Sequence, residues 1–85
     1  MDEYLGELPS WTLLDGHIEK EINFKSFRDV IDFVNKLAPI ADAEDHHPDL
    51  LIWGYNKLKI MLMTHTIKGL SENDFILAAK IDSLV

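Results

Sequence analysis

Residues 11–24 read WTLLDGHIEKEINF, and the middle of this stretch decides how the chain begins to fold. Asp15-Gly16 is a turn dipeptide of the kind that two-residue β-hairpins prefer, because both central positions need positive φ. Beyond the turn, Ile18, Lys20, Ile22 and Phe24 share one face, while His17, Glu19, Glu21 and Asn23 share the other. A period of two with that partition predicts a strand with one half-buried face and one wet face.

The period changes at Ser26. Phe27, Val30, Ile31, Val34, Leu37, Ala38 and Ala41 follow the i, i+3, i+4, i+7 spacing of an amphipathic helix. Ser26 is placed to cap it, and Asp29 in the first turn favours the helix dipole. Pro39 falls late in the helix, opposite Phe27 and Val34, where it removes a hydrogen bond and bends the axis. Phe33 and Ile40 form a second, smaller apolar stripe, open to two readings: extra core contact or a subunit contact.

After Pro48, residues 49–66 read DLLIWGYNKLKIMLMTHT, a second hairpin. Its first strand covers about Leu50 to Trp53, its turn includes Gly54 to Lys57, and its second strand runs to about Thr64. Leu58, Ile60 and Leu62 point one way in that strand, and Lys57, Lys59, Met61 and Met63 the other. Ser71 caps a last helix from about Glu72 to Ser83. Its apolar residues cover more than one face, which predicts that another subunit hides part of it. The order is β-β-α-β-β-α. The expected fold is a single α+β domain over residues 1–85, a four-stranded antiparallel sheet with both helices on one face.

The 85 residues include no cysteine, so disulfides, thiolate metal sites and cysteine nucleophiles are all excluded. A hydrophobic fraction of 47% supplies a core, and a chain this short often adds oligomerisation. Fifteen acidic residues against eight basic ones leave a net charge of −7, and no basic stripe suited to a phosphate backbone is visible. Direct nucleic-acid binding is therefore not expected. The acidic start MDEYLGELPS does not read as a signal peptide, and no run approaches the roughly 20 apolar residues that cross a bilayer. The expectation is a soluble cytoplasmic protein without membrane partners.

Residues 44–49 read EDHHPD. Pro48 pushes His47 out of the α region, so the histidine pair lies in the loop between the long helix and the third strand. Three readings compete. The histidines cap the helix or meet water, they ligate a divalent metal with nearby carboxylates, or they transfer protons. The spacing matches no compact metal-ligand pattern. Imidazole titrates near pH 6.5, so it can both give and take protons at working pH. With no nucleophile machinery and no phosphate-cradling glycine loop, addition to or elimination from a small organic molecule fits best.

The residues become specific when taken in order. Asp42 is followed after three residues by His46-His47-Pro48, then by Tyr55, His65 and Asp74 at intervals of six, nine and eight residues. Trp11, the FKSF stretch, YNKLKI and THTIKGLSENDFILAAKID complete the context. Over about residues 8 to 82 the chain resembles the pterin-4a-carbinolamine dehydratase family. The resemblance implies an enzyme that removes water from a 4a-hydroxytetrahydropterin to give the quinonoid dihydropterin, recycling a tetrahydrobiopterin-type cofactor. It implies no metal and no bound cofactor, the pterin being the substrate, and assembly as a homodimer or homotetramer. The alternative is a non-catalytic pterin-binding or protein-dimerisation module on the same scaffold.

Carried over, His46, His47 and His65 match the catalytic histidines, with His46 and His65 expected to be essential and His47 to place the substrate. Asp42 stands where the family often has Glu and is expected to bond the pterin or orient a histidine. Asp74 and Trp11 are expected to complete the pocket, although Asp74 also suits a helix cap with Ser71, and Trp11 also suits the core. Asn73 stands where some relatives have arginine. Tyr55 frames a turn, and His17 is read as surface.

Overall fold

A computed structural model describes residues 10–64 and 69–85. Strands β1 (Thr12–Leu14) and β2 (His17–Asn23) form the first hairpin, followed by helix α1 (Phe27–Glu44). Strands β3 (Asp49–Trp53) and β4 (Lys57–Leu62) form the second, followed by helix α2 (Glu72–Asp82). The sheet order is β1-β2-β4-β3, antiparallel throughout.

Both residues of the first turn lie at positive φ, Asp15 at 49° and Gly16 at 79°. That backbone matches the right-handed twist of the strands it joins, and Leu14 pairs with His17 directly across it. The hairpins are joined edge to edge by β2 and β4, from Ile18 opposite Leu62 to Asn23 opposite Lys57. Asn56, in the second turn, locks that junction. It accepts from the Phe24 N–H at 2.8 Å, and its amide donates to the Phe24 carbonyl at 3.1 Å.

One face of the sheet contributes Ile18, Leu58, Ile60 and Leu62 to the core, all fully buried. Against them pack Val30, Phe33 and Leu37 of α1 and Phe75, Leu77, Ala78 and Ile81 of α2. The two helices therefore share one face of the sheet. Trp11 joins the same cluster, and its indole N–H donates to Asp82 at 2.9 Å. Lys20, on the buried side of β2, reaches that same carboxylate at 2.7 Å.

The structure corrects two details, the place of Phe27 and the end of β4, and puts Phe33 in the core, one of the two readings open to it. Phe27 is 53% exposed rather than core. Helical side chains lean toward the N-terminus, so the first residue of α1 overhangs the packed layer. Phe33, on the smaller stripe, is buried instead and stacks obliquely on Phe24 at 5.4 Å. In α2 the molecule's own core takes Phe75, Leu77, Ala78 and Ile81, which leaves Ile76 and Ala79 exposed. Finally, β4 stops at Leu62, and Thr64 pairs with Gly69 in an isolated antiparallel bridge. Pro39 lies within α1 on its exposed side, where the helix continues past it.

Candidate active site

Helix α1 ends by reversing its backbone. Asp45 adopts the left-handed conformation at φ 50°, its N–H donates to the Asp42 carbonyl at 3.1 Å, and the His46 N–H donates to the Ala41 carbonyl at 3.2 Å. This is the Schellman arrangement, which satisfies the last carbonyls of a helix with the two residues beyond it. Aspartate tolerates the conformation better than most residues. Between this reversal and Pro48, three residues on, the two neighbouring imidazoles turn in different directions.

His46 turns inward. Its Nε2 lies 2.5 Å from Asp74 Oδ1, with 14% of the histidine side chain exposed and none of the aspartate. His47 turns outward and meets Asp42 Oδ1 at 2.8 Å, both side chains being largely exposed. The inward pair is thus shielded from solvent and the outward pair is not.

Asp74 occupies the third position of α2. Of the two roles open to it from the sequence, the structure shows the helix cap, and the side chain is fully buried. Its Oδ2 accepts from the Ser71 backbone N–H at 2.8 Å, the reach-back contact of a capping box. The same oxygen accepts from Thr64 Oγ1 at 2.9 Å, while Oδ1 faces His46. As a carboxylate, Asp74 offers only acceptors, so Nε2 of His46 carries the proton and donates it. No hydrogen bond to the other ring nitrogen, Nδ1, is seen among the described residues.

His46, His47 and Thr64 border a cleft of about 450 Å³, lined also by Asp45, Pro48, Asp49 and Asn73 but not by the buried Asp74. A smaller apolar recess of about 170 Å³ adjoins it, with His47 and Pro48 common to both. The recess includes Asp42, Val34, Leu37 and Leu50. A larger cleft of about 670 Å³ sits at the opposite end of α1, bordered by Phe24, Asp32, Lys36 and Val85, and contains no histidine.

A family model described as Pterin 4 alpha carbinolamine dehydratase matches residues 1–84. The chain belongs to that family. A pterin-4a-carbinolamine dehydratase relative from Hydrogenovibrio crunogenus is 45% identical over 87 residues, spanning 100% of this chain and 76% of that protein. Another, from Nitrosospira multiformis, is 49% identical over 82 residues, spanning 96% and 72%. Both names give the dehydratase assignment as provisional. The crystal structure of a transcriptional coactivator/pterin dehydratase from Brucella melitensis has a TM-score of 0.91 at 31% identity, covering 99% of this chain and 90% of that one. A pterin dehydratase-like protein identified as a RuBisCO assembly factor in the alpha-carboxysome has a TM-score of 0.68 at 23% identity, covering 87% and 84%, a likeness of fold alone.

Against the dehydratase pattern, the fold makes two separate pairs, His46 with Asp74 on the inside and His47 with Asp42 on the outside. His65 lies outside the described residues. Trp11 does not line the cleft; its indole is in the core, bonded to Asp82. Thr64 was not singled out from the sequence as part of the site. Its only signal there is its place directly before His65 in the THT stretch. Among the described residues, no three His, Cys, Asp or Glu side chains converge as a metal-ligand set, and no helix is long and apolar enough to cross a membrane.

Proposed function

We propose that this protein dehydrates a 4a-hydroxytetrahydropterin. The C4a–O bond breaks as its hydroxyl is protonated and leaves as water, N5 gives up its proton, and the C4a=N5 bond of the quinonoid dihydropterin forms. The observation that carries this reading is His46, held through Nε2 by a buried carboxylate while the residue lines the cleft. General acid–base assistance of this kind contributes about 10²–10⁴-fold. His65 is the second proton carrier in this proposal, and His47 with Asp42 positions the ring at the cleft mouth.

In this reading the pterin is substrate and no resident cofactor or metal takes part. In this proposal the reaction recycles a tetrahydrobiopterin-type cofactor in the cytoplasm. A homodimer or homotetramer is the proposed assembly, supported by the apolar Leu50 and Leu51 exposed on edge strand β3.

The test is the rate of 4a-hydroxytetrahydropterin dehydration, followed spectroscopically for wild type, His46→Ala and His65→Ala. A large acceleration that falls by orders of magnitude in folded variants supports the proposal. No acceleration by folded wild type overturns it. The Brucella neighbour's description couples coactivator with dehydratase, which favours a binding module as the second reading. Tight pterin binding without turnover would favour that reading.

A further inference from the structure

We infer that Thr64 is a positioning residue for His46, acting through Asp74. The inference rests on His46 being the proton-transfer group of the proposed reaction. Asp74 is fully buried, so protein donors alone set the plane of its carboxylate. The Ser71 N–H and the Thr64 hydroxyl both point at Oδ2, from 2.8 and 2.9 Å. One donor would leave the carboxylate free to pivot about its Cβ–Cγ bond. Two donors on the same oxygen hold Oδ1 toward His46.

Thr64 is itself firmly placed. It lies two residues beyond the fully buried Leu62, its N–H donates to the Gly69 carbonyl at 2.7 Å, and its carbonyl accepts from the Gly69 N–H at 3.3 Å. Its hydroxyl also meets Ser71 Oγ at 2.6 Å. A threonine hydroxyl has one hydrogen. Because that hydrogen goes to Asp74, the Ser71 hydroxyl must donate to Thr64. The order is therefore Ser71 to Thr64 to Asp74, with His46 donating to the other carboxylate oxygen. The sheet, through the end of β4, thereby sets the orientation of an imidazole carried by the loop after α1.

The experiment compares Thr64→Val, which keeps the shape and loses the hydroxyl, with Thr64→Ser, which keeps the hydroxyl. The readouts are the ¹⁵N shifts of His46, which report its tautomer, and kcat and KM for a 4a-hydroxytetrahydropterin. Thermal unfolding checks the fold. Thr64→Val is expected to mix the His46 tautomers and lower kcat about ten- to a hundredfold with a smaller change in KM, the scale of a slightly misplaced reacting group. Thr64→Ser is expected to restore both. An unchanged His46 tautomer in Thr64→Val, or a Thr64→Ser variant as impaired as valine, would overturn the inference. If valine prevents folding, Thr64→Ala serves the same comparison. Should wild type prove inactive, the proposed function fails while the tautomer comparison still decides the positioning role.

Discussion

His46 and Asp74 stand 28 residues apart in the chain and meet at 2.5 Å, the histidine from the loop after α1 and the aspartate from the first turn of α2. Asp74→Asn tests what the carboxylate contributes beyond shape. The donors at Oδ2 would capture the amide oxygen, which turns the NH₂ toward His46. Nε2 must then accept, and the imidazole proton moves to Nδ1. The variant is expected to fold and to lose about 10²-fold or more in kcat. Asp74→Ala also strands three donors and is expected to cost about 2–4 kcal/mol by denaturant unfolding.

The neighbouring histidines are expected to differ when removed. His46→Ala should lower kcat by about 10²–10⁴-fold. His47→Ala should chiefly raise KM, and its exposed pair with Asp42 should matter to stability by less than about 1 kcal/mol. Normal turnover in His46→Ala beside inactive His47→Ala would reverse their roles.

Asp45 links the helix end to the site. Its φ of 50° is costly for a β-branched residue and free for glycine. Asp45→Gly is expected to change stability by less than about 1 kcal/mol, since relief of the positive φ is offset by the greater freedom glycine gives the unfolded chain. Asp45→Val is expected to lose about 1–2 kcal/mol and to reduce activity by displacing His46. Equal stability of the two variants would contradict the role given to the reversal.

The core prediction concerns Ile60, fully buried on the central strand β4. Ile60→Ala should destabilise the protein by about 2–5 kcal/mol, at roughly 4–8 °C of melting temperature per kcal/mol for a domain of this size. Leu13→Ala, at a position 46% exposed on β1, should stay within about 1 kcal/mol of wild type.

A pH effect is expected on the open face of the sheet. The hydrogen bond from His17 at 2.9 Å holds the Glu19 carboxyl below its ordinary range, with the charges of Lys59 and His17 assisting and burial opposing. A carboxyl whose pKa is lower in the folded state contributes stability above its unfolded pKa. That contribution disappears as pH falls through the depressed folded value. NMR titration should place Glu19 below the usual glutamate midpoint, and His17→Val should move it upward. An ordinary midpoint in wild type would remove the basis for this expectation.

Local patterns were enough to read most of the fold. The positive-φ turn at Asp15-Gly16, the alternation through Ile18 and Ile22, the Ser26 cap and the parity of Leu58, Ile60 and Leu62 all depend on neighbours within a few residues. Phe27 and Phe33 were harder to place. Periodicity identifies an apolar stripe but not how far the sheet extends beneath it. Of the candidate site, the residues themselves offered a histidine pair among carboxylates, and the resemblance to a family supplied the roles expected of Asp42, His46, His47 and Asp74.

The sequence by itself determined the elements, their order and the presence of a histidine pair that Pro48 keeps out of a helix. Tertiary structure decided that the hairpins join through β2 and β4, that Trp11 serves the core, and that His46 turns inward while its neighbour turns out. It also brought Thr64 to Asp74. Turns, caps and periodicity are short-range preferences written into adjacent residues. The partner of a buried carboxylate depends on where separate segments come to rest once the core has closed, and spacing along the chain does not encode that distance.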